Sequence, residues 1–63
     1  MTTFRLGDIV MINKEKVEVT PLNFVREGMM ASVIDRTVPN YYRVKFTNGQ
    51  VEWIDGKYLK KVQ

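Results

Sequence analysis

Residues 41–54 constrain the fold more than any other stretch, because they read as two β-strands joined by a tight turn. Apolar and polar residues alternate on both sides of Asn48-Gly49, the strongest short signal for a two-residue hairpin loop. Such a loop pairs Thr47 with Gln50 and thereby fixes the register of all the other pairs in the hairpin. The predicted inward row is Tyr42, Val44, Phe46, Val51 and Trp53, and the predicted outward row is Tyr41, Arg43, Lys45, Thr47, Gln50, Glu52 and Ile54.

The residues before this ribbon also favour short strands separated by turns. We predict a first strand at residues 9–13 and a second at 29–36, followed by a proline-containing turn at 37–40. Residues 14–27 mix charged and apolar side chains and contain Pro21. They are therefore predicted to form a long loop, with some hairpin character, that folds back over the rest of the domain.

The C-terminal residues complete this pattern. Residues 55–59 predict a 3₁₀ turn, and residues 60–62 predict a short closing strand. Leu59 and Val62 are expected to point inward. Together, the predicted elements form an all-β domain of five short strands, which is typical of a small barrel.

Length and composition limit what such a domain can do. A chain of 63 residues with 44% apolar content is expected to form one domain, residues 1–63, with a single modest core. The absence of Cys and His excludes disulfides, thiolate and imidazole metal sites, and catalysis by either side chain. No glycine-rich phosphate loop is present. We therefore expect a binding protein without metal or cofactor, and not an enzyme.

The N-terminal segment carries no sign of membrane targeting. Arg5, Asp8 and Lys14 interrupt any apolar run that could serve as a signal peptide or a membrane span. We therefore expect a cytoplasmic location and no membrane partner.

Charge is distributed unevenly along the chain, whose net charge is +3. Residues 1–35 hold four basic and five acidic side chains, whereas residues 36–63 hold six basic and two acidic ones. Lys45 and Glu52, which face each other in the predicted register, are expected to form an exposed ion pair. The basic C-terminal half suggests a polyanionic partner.

The order of the predicted elements is similar to that of the SH3-like barrel. Within that group, the chain resembles Tudor-type and KOW-type barrels, whose third and fourth strands follow the outline Y-x-V-x-F-x-[DN]-G-x-x-x-[apolar], with a later Leu. The resemblance implies a five-stranded SH3-like barrel with a long first loop and a 3₁₀ turn before the last strand. Met29 and Met30 stand where a Tudor domain that binds methylated lysine has aromatic rings, and Ala31 stands where a KOW motif usually has Gly. The matching residues are Tyr42, Val44, Phe46, Asn48, Gly49, Trp53 and Leu59.

The leading functional hypothesis is weak, salt-dependent binding of nucleic acid. An outward Tyr41 could stack on a base while neighbouring cations hold phosphates, although a solvated strand face is the plainer interpretation of the same residues. Trp53 is expected in the core rather than on this surface, and the terminal lysines could equally serve to protect a sheet edge. The predicted nucleic-acid-binding residues are Tyr41, Arg43, Lys45, Lys57, Lys60 and Lys61.

A protein-interaction module is the alternative hypothesis. Such an adaptor or inhibitor would use the loop at residues 14–27 and the exposed apolar side chains Leu22, Phe24 and Ile54. Small accessory proteins of bacteria or their phages are of this size. Salt distinguishes the two hypotheses, because phosphate binding weakens steeply with salt whereas a hydrophobic interface does not.

Overall fold

The structure, a computed structural model, describes residues 3–62. This part of the chain consists of seven β-strands and one 3₁₀ turn, so the predicted all-β class is confirmed. The strands are β1 (Ile9–Ile12), β2 (Lys16–Thr20), β3 (Asn23–Arg26), β4 (Met30–Thr37), β5 (Tyr41–Phe46), β6 (Val51–Asp55) and β7 (Leu59–Lys61), and the 3₁₀ turn is Gly56–Tyr58.

Five of the strands form one antiparallel sheet in the order β6-β5-β4-β1-β7. The remaining two, β2 and β3, form a separate hairpin. The hairpin character predicted for residues 14–27 is therefore confirmed, but most of this segment is paired in strands and does not form a long loop. Val17 and Val25 lie opposite each other in this hairpin and are both buried, so their burial anchors it to the rest of the domain.

The core lies on the inner face of the five-stranded sheet and beneath the hairpin. Alternate residues of β5 point into it, as the sequence predicts, and each fully buried side chain of this size contributes about 1.5–3 kcal/mol. The ring of Phe4 meets that of Tyr42 edge to face, with centroids 5.1 Å apart, and the Phe4 N–H donates to Tyr42 Oη. The buried hydrophobic residues are Phe4, Val10, Ile12, Val17, Val25, Ala31, Val33, Tyr42, Val44, Phe46, Ile54 and Leu59.

The β5–β6 hairpin has a three-residue loop, which corrects the predicted two-residue loop. The Gly49 N–H donates to the Phe46 carbonyl at 2.9 Å, and the Phe46 N–H donates to the Gln50 carbonyl at 2.8 Å. Gly49 has a φ of 91°, as expected for the glycine that follows a type I turn in such a loop. One extra loop residue shifts the pairing of β6 by one position, and this exchanges the two faces of that strand.

The shift reverses the predicted positions of Trp53 and Ile54. Ile54 pairs with Tyr42 and is only 2% exposed, whereas Trp53 pairs with Arg43 and is 44% exposed. The prediction that Trp53 belongs to the core is therefore wrong. So is the prediction that Ile54 is an exposed side chain available to a protein partner.

The end of β7 corrects a second prediction. Leu59 is buried as expected, but Val62 is 41% exposed, although its N–H donates to the Ile9 carbonyl at 3.0 Å. A separation of three residues places two side chains on opposite faces of a strand, so Leu59 and Val62 cannot both point inward.

Candidate nucleic-acid interface

The outer face of β5 presents three of the predicted binding residues in a row. Tyr41, Arg43 and Lys45 alternate with the three buried side chains of the same strand and are all exposed. Their outward orientation is therefore a direct result of the core packing of β5.

The neighbouring strand adds an indole to this row. Trp53 lies opposite Arg43, while Val51 lies opposite Lys45. We refer to Tyr41, Arg43, Lys45 and Trp53 as the β5–β6 ribbon. An exposed aromatic ring directly across from a guanidinium is an arrangement in which a planar ligand can stack while an anionic group is held beside it.

Glu52 does not contribute its charge to the outer face of the ribbon. In the observed register it pairs with Val44 and therefore points to the opposite side of the sheet from Lys45, so the predicted Lys45–Glu52 ion pair does not form. Its Oε2 atom accepts hydrogen bonds from Asn23 Nδ2 at 2.6 Å and from Gln50 Nε2 at 2.8 Å. Within residues 3–62 the only ion pair joins Lys61 Nζ to Asp8 Oδ2 at 3.8 Å.

Two carboxylates do lie next to the ribbon, and both are engaged with backbone groups. Asp35 pairs with Arg43 on β4, and its Oδ1 atom accepts from the Arg36 N–H at 2.8 Å. Asp55 pairs with Tyr41 on β6, and its Oδ1 atom accepts from the Lys57 N–H at 3.0 Å, which caps the 3₁₀ turn. These carboxylates reduce the positive potential of the ribbon without neutralising it through direct ion pairs.

A groove of about 320 Å³ adjoins the ribbon, between β2 and the corner formed by β6 and the 3₁₀ turn. Buried Val17 and Ile54 form part of its lining. Its aromatic residues are Tyr41, Trp53 and Tyr58, and its charged residues are Glu18, Asp55 and Lys57. The groove therefore continues the aromatic character of the ribbon towards the 3₁₀ turn and adds two carboxylates and one ammonium group.

Tyr58 holds two ammonium groups at the groove. Lys14 Nζ lies 4.8 Å from the centroid of its ring, and Lys57 Nζ lies 5.1 Å from it. The Asn13 N–H donates to the Tyr58 carbonyl at 2.9 Å, which brings the residue after Asn13 to this corner. Cation–π contacts of this kind contribute about 0.5–1 kcal/mol at exposed sites, so Tyr58 serves here to position charge.

The remaining predicted nucleic-acid-binding residues lie away from the ribbon. Lys60 pairs with Met11 on β1, and Lys61 is the partner of Asp8 in the ion pair. Their strand, β7, is separated from β5 by β1 and β4 in the sheet order. The six predicted residues therefore do not form one continuous row.

The residues of the alternative protein-binding hypothesis are also dispersed. Leu22 is 94% exposed in the turn between β2 and β3, and Phe24 on β3 lies under Lys16, whose Nζ is 4.0 Å from the ring centroid. Ile54 is buried, as described above. Only the tip of the β2–β3 hairpin therefore offers a fully exposed large apolar side chain from this set.

The sequence analysis missed two residues of the site: Trp53 as an exposed ring, and Lys14 as a cation over the ring of Tyr58. Lys14 had no available signal, because a contact over 44 residues brings it to Tyr58. The prediction for Trp53 failed because the face of β6 on which its ring lies depends entirely on the length of the loop at Gly49.

Comparison of the chain with protein-family models, with curated proteins and with solved structures finds no match. Within residues 3–62, no helix has the length and apolar character needed to cross a membrane. The same described residues contain no cluster of three or more acidic side chains that could hold a metal ion.

Proposed function

We propose that the protein binds nucleic acid through the β5–β6 ribbon. One observation carries this proposal: the register of the hairpin places Trp53 opposite Arg43 and turns Glu52 to the other face of the sheet. Because of that register, two aromatic rings and two unpaired cations share one exposed surface among the described residues.

The proposed mechanism combines two sequence-independent interactions. Bases stack on Trp53 and Tyr41, each contributing about 1–3 kcal/mol, while Arg43 and Lys45 hold backbone phosphates. The small number of cations makes binding weak and strongly dependent on salt, because each neutralised phosphate releases condensed counterions.

We also propose that the fold is an SH3-like barrel. Three features of the fold, besides the five-stranded sheet itself, support this assignment. The β2–β3 hairpin takes the place of the long first loop, a tight turn precedes β5, and a 3₁₀ turn precedes the last strand. This fold is compatible with many activities, so the functional proposal depends on the ribbon and not on the fold.

A matched pair of charge reversals tests the functional proposal. Arg43→Glu with Lys45→Glu should abolish retention of a fluorescently labelled oligonucleotide in an anisotropy titration at low salt. Lys60→Glu with Lys61→Glu changes the net charge by the same amount on β7 and should reduce affinity only slightly, through the general field. Equal losses in the two double variants would contradict binding at the ribbon.

One observation favours a second function, protein binding at the tip of the β2–β3 hairpin. Leu22 is 94% exposed there, more than any other large apolar side chain among the described residues, so it is the one most accessible to a partner. Under this alternative, Leu22→Ser should prevent capture of a protein partner without affecting oligonucleotide binding. Unchanged capture by Leu22→Ser would exclude the hairpin tip as the contact.

A further inference from the structure

The groove beside the ribbon has the size of a site for one small planar group. Its volume of about 320 Å³ lies at the lower end of the range of roughly 300–1,000 Å³ found for small-molecule sites. Val19 lines the groove together with buried Val17 and Ile54, so part of its surface is apolar. A single nucleobase is small enough to fit this space, whereas a hydrogen-bonded base pair is too large for it.

The aromatic rings of the groove are not equivalent. Tyr58 has two ammonium groups close to its ring, so a ligand that stacked on it would have to displace a lysine. Among residues 3–62, no cation lies over the rings of Tyr41 and Trp53, and neither ring pairs with another aromatic side chain. Tyr41 and Trp53 are therefore the available stacking surfaces, while Lys14 and Lys57 are placed to hold a phosphate.

Two of the polar groups that line the groove, Glu18 and Asp55, are carboxylates, which accept hydrogen bonds and do not donate them. Glu18 is an exposed carboxylate on β2, and Asp55 keeps its second carboxylate oxygen after Oδ1 has accepted from the Lys57 N–H. A carboxylate recognises an exocyclic amino group, such as N4 of cytosine. At either carboxylate, the carbonyl O4 of thymine or uracil would instead meet a like partial charge.

From this arrangement we infer that the groove is a pocket for one unpaired, amino-bearing base, so that the protein binds single strands and prefers cytosine to thymine. The inference rests on the proposed function, because the ribbon supplies the rest of the contact with the strand. Bases of a duplex are stacked and paired inside it and cannot enter such a pocket without being extruded.

Trp53 provides the measurement, because it is the only tryptophan in the chain and stacking of a base quenches indole fluorescence. The wild-type protein is titrated at low salt with oligo(dC) and oligo(dT) of equal length and with a duplex. We expect saturable quenching by both single strands, with a dissociation constant at least about fivefold lower for oligo(dC), and no saturable quenching by the duplex at the same concentrations.

Asp55→Asn tests the carboxylate itself. Asparagine retains the oxygen that caps the 3₁₀ turn, so the fold should persist, but its amide can also donate to thymine O4. The ratio of the two dissociation constants should therefore fall towards one. Glu18→Gln is the matched variant on the opposite side of the groove, and retention of the wild-type ratio in both variants would overturn recognition by these carboxylates.

The outcomes separate this inference from the proposed function. Equal affinities for oligo(dC) and oligo(dT), or equal quenching by the duplex, would overturn the base pocket while leaving binding at the ribbon intact. Saturable quenching by a short arginine-containing peptide, with none by any oligonucleotide, would overturn both proposals and make the groove a peptide site. An absence of quenching by every probe would likewise contradict both.

Discussion

Asn23 Nδ2 donates a hydrogen bond to Glu52 Oε2 across 2.6 Å, and this contact joins the β2–β3 hairpin to strand β6 of the five-stranded sheet. Gln50 Nε2 donates to the same oxygen. The two bonds hold the Glu52 carboxylate on the side of the sheet opposite the ribbon. A single side chain thus links the hairpin to the sheet and keeps a negative charge away from the proposed binding surface.

Removing this link should destabilise the domain. Glu52→Ala is expected to lower the free energy of unfolding by about 1–2 kcal/mol in urea, because a hydrogen bond to a charged group is lost and two amide donors are left without their acceptor. Asn23→Ala should cause a comparable part of this loss, and the double variant should be less destabilised than the sum of the two. Additive losses would show that the two side chains act independently.

The exchanged faces of β6 give a direct test of the hairpin register. Trp53→Ala should lower the free energy of unfolding by about 1–2 kcal/mol, less than a core truncation, since the indole is 44% exposed. Ile54→Ala should cost about 2–5 kcal/mol, a large share of the roughly 3–9 kcal/mol available to a domain of this size. Ile54→Val, at about 0.5–1.5 kcal/mol, provides a folded comparison. A larger loss in Trp53→Ala than in Ile54→Ala would contradict the observed register and support the two-residue loop.

Gly56 is required by a close approach rather than by its backbone conformation. A Cβ atom there would lie 2.8 Å from Asn40 Nδ2 and 2.8 Å from Cε2 of buried Tyr42. Gly56→Ala should therefore destabilise the domain by about 1–3 kcal/mol in thermal or urea unfolding. Asn40→Ala in the same chain should recover part of that loss by removing one of the two clashes. Wild-type stability of Gly56→Ala alone would contradict the observed packing of the 3₁₀ turn against β5.

The salt dependence of binding distinguishes the contribution of the cations to affinity from that of the aromatic rings. With three or four phosphate contacts, the slope of log K against log salt should be about −2 to −3 for a single strand. Arg43→Gln should make this slope shallower by about 0.7. Trp53→Ala should weaken binding by about fivefold or more without changing the slope, because stacking releases no counterions. A change of slope in Trp53→Ala would mean that the indole does not act by stacking.

Much of the fold follows from local patterns in the sequence. The alternation in β5 predicts the burial of Tyr42, Val44 and Phe46, and the residues after β6 predict the 3₁₀ turn. The site does not follow in the same way. Asn48-Gly49 is compatible with a two-residue or a three-residue loop, and the choice reverses the faces of β6.

Non-local contacts are consistent only with the longer of these loops. Ile54 fills the core beneath Tyr42, and Glu52 finds its partner on a strand almost thirty residues earlier. Neither contact can be read from the hairpin sequence alone. The same reason applies to the β2–β3 hairpin, because its two strands are short and rely on burial of Val17 and Val25 against the rest of the domain.

The most direct test of the central claim is a titration of the ¹⁵N-labelled protein with a short single-stranded oligonucleotide, followed by amide NMR at low and then at physiological salt. We expect chemical-shift changes at β5 and β6, including the indole N–H of Trp53, that diminish as salt is raised. Lys60 and Lys61 on β7 should show little change. An absence of shifts at low salt, or shifts confined to the β2–β3 hairpin, would contradict nucleic-acid binding at the ribbon.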